Sequence, residues 1–569
     1  MLEEAKKQII SALSKVANVP PHDIVLETPK SSDLGDLAFP CFKLAPKFKT
    51  SPQNIANDLA KKLPKLSYVS KFHVVGPYVN FFLSSSNLAA DVLTGIYKQK
   101  GKFGSGKAKK ERIMIEFSQV NTHKAVHVGH LRNTALGDSL VRVLRYNGYP
   151  AIAANYPGDI GTHVAKVLWY MQKYHHEMKK HARQKNKGEW LGNLYAEAAK
   201  AVEDHPQNEK EVAEVLQKLE SGKDKKLLKL WKQTRQWSLD EFYRIYKELG
   251  VRFDVWFFES QAEKPGKQLV HELVRKGIAV KDQGAILIDL TKYNLDKFLI
   301  LKSDGSSLYA TKDLALAKMK FEKHKIDRSV YVVGTEQNLY FKQLFATLGL
   351  MGFKQARKCY HLAYELVMLA TGKMSSRSGN VVLYSDLASK AKAKALEEVW
   401  SRNPKMQKKK AEHIAMKIAL AALKYGMLKQ APNKVIIFDW QRAVEFQGDT
   451  GPYLQYSLVR ANNILKKARV KPSISVDFSL LKTSEEADLI KKLSSFKSVV
   501  EKSAEQYATH IIASYAYELT QVFNTFYERC PVAQADKSTK AARALLVWAF
   551  AQVLSNALHL LGIEEVDVM

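Results

Sequence analysis

The stretch RIMIEFSQVNTHKAVHVGHLRNTALGDSLVRVLRY, residues 112–146, decides how the rest of the chain is read. It opens with an apolar run, Ile113 to Phe117, that reads as a buried strand. A polar turn, Ser118 to Lys124, leads to His127-Val128-Gly129-His130, and an amphipathic helix follows with Leu131, Leu136, Leu140, Val143 and Leu144 at helical spacing. A helix N-terminus offers free N–H groups and a positive dipole end, and a glycine there lets a ring or a phosphate approach the backbone. His127 and His130, three residues apart, project on one side and can each donate a hydrogen bond to a phosphate oxygen. A pair of surface histidines would give the same string; the strand before and the helix after favour the phosphate reading.

Working outward, residues 1–105 read as a compact α/β unit, with helices from Leu2 to Val16 and from Pro52 to Leu63, the latter capped by Ser51. FHVVGPYVNFFL, residues 72–83, reads as two strand pieces broken at Gly76-Pro77. Its Tyr78, Phe81 and Phe82 with Asn80 suit either exposed bases or a sheet packed on helices. GKFGSGKAKK, residues 101–110, reads as a flexible basic linker. From 112 onward strands and helices alternate, the signature of a parallel sheet covered by helices, with a Lys- and Glu-rich helical insertion at about 165–248. A hairpin turning at Asp282-Gln283-Gly284, a helix from Thr311, a helix from Leu339 to Leu350 and a last strand from Leu362 to Leu369 lead to the loop ATGKMSSRSGN, residues 370–380. Lys373, Ser375, Ser376 and Arg377 give that loop phosphate-binding chemistry. After Asp386 the spacing is helical to the end, as in a bundle. There Tyr453, Gln455, Tyr456 and Arg460 suit single-stranded RNA, or buried tyrosines of the bundle core.

The charge is unusual: 88 Lys+Arg against 57 Asp+Glu in 569 residues, a formal +31, of which only 18 are Arg. A polyanion partner is the natural inference, because such charge releases counterions on binding nucleic acid. Three scattered cysteines, Cys41, Cys359 and Cys530, fit neither a disulfide framework nor a metal site, and the N-terminus has neither signal-peptide nor transit-peptide composition. The longest apolar runs, such as Ala544 to Leu554, read as too short to span a membrane. The expectation is a cytoplasmic protein without a membrane association and without a structural metal.

His127-Val128-Gly129-His130, followed some 240 residues later by Lys373-Met374-Ser375-Ser376-Arg377, resembles the two signature motifs of class I aminoacyl-tRNA synthetases. The segments IEFSQVNTHKAVHVGHLRN, SDGSSLYATKDLA, GTEQNLYFKQLF, GDTGPYLQYSLVRANNIL and the ending LSNALHLLGIEEV resemble the arginyl-tRNA synthetase family. The resemblance implies a multidomain α/β plus all-α protein. An N-terminal α/β domain (1–105) would meet the tRNA elbow, a Rossmann-like catalytic domain (110–395) would carry the insertion, and a helical domain (396–569) would bind the anticodon. The implied activity is ligation of L-arginine to its tRNA through an arginyl-adenylate, with ATP and Mg²⁺, by a monomer that activates arginine only with tRNA bound.

By the same resemblance, His127, Gly129, His130, Lys373, Met374, Ser375 and Ser376 would bind ATP, with His127, His130, Lys124 and Lys373 catalytic. The second lysine of the loop motif is here Ser376, and the family pattern makes Lys124 its substitute. Arginine would be held by Glu116, Ser118, Asn121, Tyr309, Asp313 and Gln337, with Asp313 and Glu116 on the guanidinium fork, where lysine leaves polar groups unpaired. Asn80, Phe81, Tyr453, Gln455, Tyr456 and Arg460 would meet the tRNA.

Overall fold

The structure is a computed structural model that describes residues 2–27, 29, 31, 34–174, 186–369 and 382–569. The chain divides into two compact units. One comprises Met1–Gly104, Tyr456–Val499 and Tyr515–Ala557; the other comprises Ser105–Gln455, Val500–Ser514 and Leu558–Met569.

In the first unit three antiparallel strands, β1 (Leu37–Pro40), β2 (Val69–Val75) and β3 (Tyr78–Leu83), lie in the order β1-β3-β2. The helices Leu2–Ala17, Pro52–Lys62 and Ser85–Gln99 accompany them. Ser51 caps the second helix by accepting from the Asn54 amide at 3.2 Å, and Gly76 takes the left-handed conformation in the β2–β3 turn. Both faces of β3 are covered at this point, so Asn80, 3% exposed, and Phe81, fully buried, are on opposite faces and neither side chain is presented to solvent; Phe81 packs on Phe72 instead. The helix Lys537–Leu560 is, by length and composition, apolar enough to cross a membrane, contrary to the reading from its sequence. In the fold 72% of its apolar window is buried inside the protein, so the composition is accounted for by core packing.

The second unit is built on five parallel strands in the order β11-β10-β4-β5-β6. These are β4 (Ile113–Glu116), β5 (Ala151–Asn155), β6 (Val255–Trp256), β10 (Arg328–Gly334) and β11 (Cys359–Tyr364). A separate antiparallel sheet of β7 (Val280–Asp282), β8 (Ala285–Ile288) and β9 (Phe298–Leu301) contains the expected hairpin, with both turn residues, Gln283 and Gly284, at positive φ. The helical insertion is present as Thr162–Tyr174, Lys187–Asp204, Asn208–Ser221 and Lys225–Glu248. The helix Val128–Tyr146 buries all five of its periodic apolar residues. It lies so close to the end of β4 that a Cβ on Gly137 would come within 2.1 Å of the Phe117 ring.

Two sequence readings are corrected. Residues 105–110 form an ordered strap, because the Gly106 and Lys109 amides donate to the carbonyls of Tyr146 (3.0 Å) and Gly148 (2.8 Å) and Lys109 stacks on Tyr149. The strand expected from Leu362 to Leu369 is two: β11 ends at Tyr364, and β12 (Val367–Leu369) pairs with β13 (Ile436–Phe438) in a different sheet. The break falls where the carbonyls of Glu365 and Leu366 turn to the guanidinium of Arg132. That buried arginine also donates to the carbonyls of Pro432 and Lys434.

Candidate active site

The carboxyl ends of β4, β5, β10 and β11 open on a cavity of about 350 Å³. It lies where chain direction across the sheet reverses, on the two sides of β4, which is where open parallel sheets bind ligands. The turn after β4 is folded into an uncommon shape: Ser118, Gln119 and His123 all have positive φ. Each such residue costs on the order of 1–3 kcal/mol, so the surroundings must fix it. They do so through polar groups. The Ser118 amide donates to Asn133 Oδ1 (2.5 Å), the Gln119 amide to Asn155 Oδ1 (3.1 Å) and the Thr122 amide to the Gly158 carbonyl (2.9 Å). His123 is fully buried with its Nδ1 and Nε2 on the hydroxyls of Thr122 and Thr234, and burial pushes its pKa down to about 3.

At one end of the cavity the helix Val128–Tyr146 begins. Its cap is made by the two histidines themselves: His127 Nδ1 accepts from the Gly129 amide (3.1 Å), and His130 Nδ1 accepts from the His127 amide (3.2 Å). The rings stack with centroids 3.7 Å apart. Burial, and then the charge of Lys124, lowers the His127 pKa to about 4; burial and the neighbouring His127 and Lys124 hold His130 well below the usual range. Both rings are therefore neutral near pH 7. Because each Nδ1 is an acceptor, each ring carries its proton on Nε2, which makes two fixed donors. A Cβ on Gly129 would meet the His127 ring at 3.0 Å, so a side chain here would displace that donor.

The opposite end holds three carboxylates from three parts of the chain. Glu116, at the end of β4, is 3% exposed and forms an ion pair with the fully buried Lys320 at 2.5 Å, its other oxygen accepting from Gln119 (2.9 Å). Glu259 is buried against Lys312. Asp313 has no such lysine; its one recorded hydrogen bond is from the Tyr340 hydroxyl at 2.5 Å. Burial raises the Asp313 pKa to about 7, the Tyr340 bond opposing and the charges of Glu116 and Glu259 adding to the shift. Among the described residues, Asp313 is thus the one buried acid of the cavity without a recorded lysine partner, placed for a cation; Glu336 also lines the cavity, but is exposed. The Tyr156 hydroxyl, buried without a hydrogen-bond partner, lies on the same wall.

Of the residues expected from the sequence, Glu116, Ser118, Asn121, His127, Gly129, His130, Tyr309, Asp313 and Gln337 all line this cavity. The Ser118 hydroxyl is engaged with Tyr246 (2.7 Å) and Thr134 (3.0 Å), so Ser118 holds the turn. Asn121 sits so close to Gly158 that a Cβ there would come within 2.2 Å of its Oδ1. Lys124 does not line the cavity; it lies over the Tyr195 ring and lines an adjoining one. Lys373, Met374, Ser375 and Ser376 lie outside the described residues. The chain on both sides of them is fastened to the histidine helix: Arg132 holds the carbonyls before β12, and Val382 and Tyr384 pair through their backbones with Val128 (3.2 Å) and Val126 (2.9 Å). Gln455 is fully buried, its amide donating to the Glu564 carbonyl at 2.6 Å; Tyr453, Tyr456 and Arg460 are half-buried, Arg460 on Asn524 and over Tyr456.

Sequence reasoning missed Asn133, Lys320, Tyr156, Glu259 and Tyr340. Asn133 follows His130 by three residues on the same helix face, a signal that was available. It donates to the Val332 carbonyl and the Tyr364 hydroxyl, tying two strands to the helix. The others arrive from distant elements and carry no local pattern.

A parallel sheet with a histidine-capped helix at the end of its central strand is the architecture of the class I aminoacyl-tRNA synthetases. Residues 92–440 match the family described as tRNA synthetases class I (R), catalytic domain. Residues 3–83 match the arginyl tRNA synthetase N terminal domain, and residues 454–569 the DALR anticodon binding domain. The chain is 40% identical to the arginine–tRNA ligase of Bdellovibrio bacteriovorus over 96% of its own length and 94% of that protein's. It is 36% identical to the arginine–tRNA ligase of Clostridium perfringens over 96% of each. The solved Thermus thermophilus arginyl-tRNA synthetase superimposes with a TM-score of 0.83 at 27% identity, covering 100% of both chains. The chain belongs to the arginyl-tRNA synthetase family. It is an enzyme that charges tRNA with arginine, and its substrates are arginine, ATP and tRNA.

Proposed function

We propose that arginine and ATP meet in the 350 Å³ cavity, with the guanidinium at the carboxylate end and the phosphates at the histidine end. The observation that carries this reading is the presence of two fixed Nε2 donors and one buried carboxylate without a recorded lysine partner in the same cavity. Attack of the arginine carboxylate on the α-phosphate, with pyrophosphate leaving, builds charge on phosphate oxygens. Preorganised donors are worth most there, because they need not reorganise as the charge develops. Removing one such donor typically costs about 10²–10³ in rate.

Asp313 takes the guanidinium fork, Glu116 with its lysine-compensated charge offers its free lone pairs, and Tyr309, Asn121 and Gln337 complete the amino-acid site. Lysine, with one compact ammonium, loses the paired geometry, at about 1.5–3 kcal/mol for each charged hydrogen bond forgone. Lys124 acts on the phosphates from the rim, supported by its electrostatic effect on both histidines. Lys373, Met374, Ser375 and Ser376 retain in this reading the ATP-binding role that the resemblance implies. Mg²⁺ is read as arriving on the triphosphate, since this ion is commonly bound through substrate phosphates with few protein ligands.

The tRNA elbow falls to the N-terminal domain (1–105) and the anticodon to the helical domain (396–569), where Tyr453, Tyr456 and Arg460 have exposed surface to offer. The protein is read as a cytoplasmic monomer. Arginine-dependent ATP–pyrophosphate exchange, measured with and without tRNA, tests the reading. Exchange specific to arginine and dependent on tRNA is expected; exchange supported equally by lysine would contradict the cavity assignment, and full exchange without tRNA would contradict the dependence.

A further inference from the structure

The turn between β4 and the histidine helix is gripped at both ends by one helix of the insertion, Lys225–Glu248. Thr234, Ser238 and Tyr246 stand at multiples of four residues, so they lie along one face of it, and all three are buried. Tyr246 grips the first end of the turn. Its hydroxyl pairs with the Ser118 hydroxyl (2.7 Å) and accepts from Asn155 Nδ2 (3.2 Å), while Asn155 Oδ1 accepts from the Gln119 amide (3.1 Å). Thr234 and Ser238 grip the far end through His123. Ser238 Oγ accepts from the His123 amide (2.9 Å), and Thr234 Oγ1 meets His123 Nε2 (2.8 Å). The Thr234 hydroxyl itself donates to the Leu230 carbonyl (3.0 Å), so it accepts from the ring and fixes which nitrogen carries the proton.

The residues so gripped, Ser118, Gln119 and His123, are the three of this turn with positive φ, at 74°, 52° and 63°. Residues other than glycine hold that conformation only while their surroundings impose it. What the turn carries toward the substrates lies beside the two grips. At the first, the Gln119 side chain donates to Glu116 (2.9 Å), and Asn121, two residues on, lines the catalytic cavity. At the second, Lys124 follows His123 directly and is laid over the ring of Tyr195, which belongs to another helix of the insertion. We infer that Tyr246, Thr234 and Ser238 are positioning residues for arginine activation, Tyr246 setting the arginine side of the turn and Thr234 with Ser238 the phosphate side. None of the three lines the catalytic cavity, so each acts through the backbone it holds. This assignment rests on the reading that Asn121 serves arginine and Lys124 the phosphates.

The test is arginine-dependent ATP–pyrophosphate exchange by the full chain, with tRNA present, for Tyr246→Phe, Thr234→Val and Thr234→Ser. Tyr246→Phe should raise the KM for arginine several-fold and leave the KM for ATP within twofold. Thr234→Val should do the reverse, and Thr234→Ser, which keeps the accepting hydroxyl, should return both constants to those of the parent. Lost stability alone lowers the amount of active enzyme and does not split the two constants in this way. A lower melting temperature with both KM values unmoved would make the hydroxyls purely structural and overturn the inference. Both constants rising together in each variant would overturn it as well. Asn121→Ala and Lys124→Ala, run in parallel, separate the inference from the reading beneath it. If they leave the KM for arginine and for ATP, respectively, unmoved, that reading falls and the inference with it. If they raise those constants while Tyr246→Phe and Thr234→Val do not, the inference alone falls.

Discussion

The two ends of the catalytic cavity are built on opposite principles. The histidine end is local: one cap, four residues long, sets ring orientation and tautomer together, and burial keeps the rings neutral. The carboxylate end is assembled from Glu116, Glu259 and Asp313 on separate elements, and two of its three acids carry buried lysines. A neutral donor needs little support when buried, whereas a buried charge must be paired or neutralised. The first end can therefore rest on a single helix turn, and the second requires a scaffold of counter-ions. In this reading arginine recognition depends on the one buried acid left without a lysine.

The largest effect expected from this contrast is on stability. Lys320→Met strands Glu116 as an uncompensated buried charge, and breaking such a pair costs about 3–5 kcal/mol. Urea unfolding should show a markedly lower midpoint; an unchanged midpoint would mean that the pair is not structural. Next comes His127→Ala, which removes both a phosphate donor and the helix cap. The charging rate should fall about 10²–10³-fold, in line with loss of one preorganised donor. A smaller loss, confined to a fall in melting temperature, would reduce His127 to a capping residue.

These contrasts also explain what was legible in the sequence. The strand, turn and helix of residues 112–146 announce themselves by apolar spacing and by the His-Val-Gly-His string, because all their determinants lie within one turn of each other. The parallel sheet follows from the alternation of strands and helices. Lys320 and Tyr340 had no such mark: a lysine inside an amphipathic helix reads as solvated, and only the packed sheet reveals that it is fully buried beside Glu116. The break between β11 and β12 was hidden for a similar reason, since it depends on Arg132, more than 200 residues away in sequence. Asn80 and Phe81 read equally as base contacts or as core, and burial places them in the core.

A pH profile sharpens the comparison further. Asp313 has a raised pKa of about 7 in the free enzyme, and the arginine guanidinium binds the ionised form. Below that pH the acid must lose its proton before binding, so the KM for arginine should rise about tenfold per pH unit on the acid side and level off above it. The histidines, neutral throughout this range, should contribute no inflection of their own. A KM for arginine that is flat from pH 6 to 9 would remove Asp313 from the role of lone anchor. The smallest effect belongs to Tyr340→Phe. The Tyr340 hydroxyl stabilises the Asp313 anion, so its loss should move the acid limb upward by about one pH unit while leaving the rate at alkaline pH near that of the parent. A limb that moves downward would contradict the assigned hydrogen bond.

The central claim is that one cavity binds both substrates of the first reaction at separable ends. The most direct measurement is arginine-dependent ATP–pyrophosphate exchange, with tRNA present, for the parent enzyme, His130→Ala and Asp313→Asn. The account predicts that His130→Ala lowers kcat and leaves the KM for arginine unchanged, and that Asp313→Asn raises the KM for arginine and leaves the KM for ATP unchanged. If His130→Ala instead raises the KM for arginine, or Asp313→Asn leaves it untouched, the division of the cavity into a phosphate end and a guanidinium end is wrong.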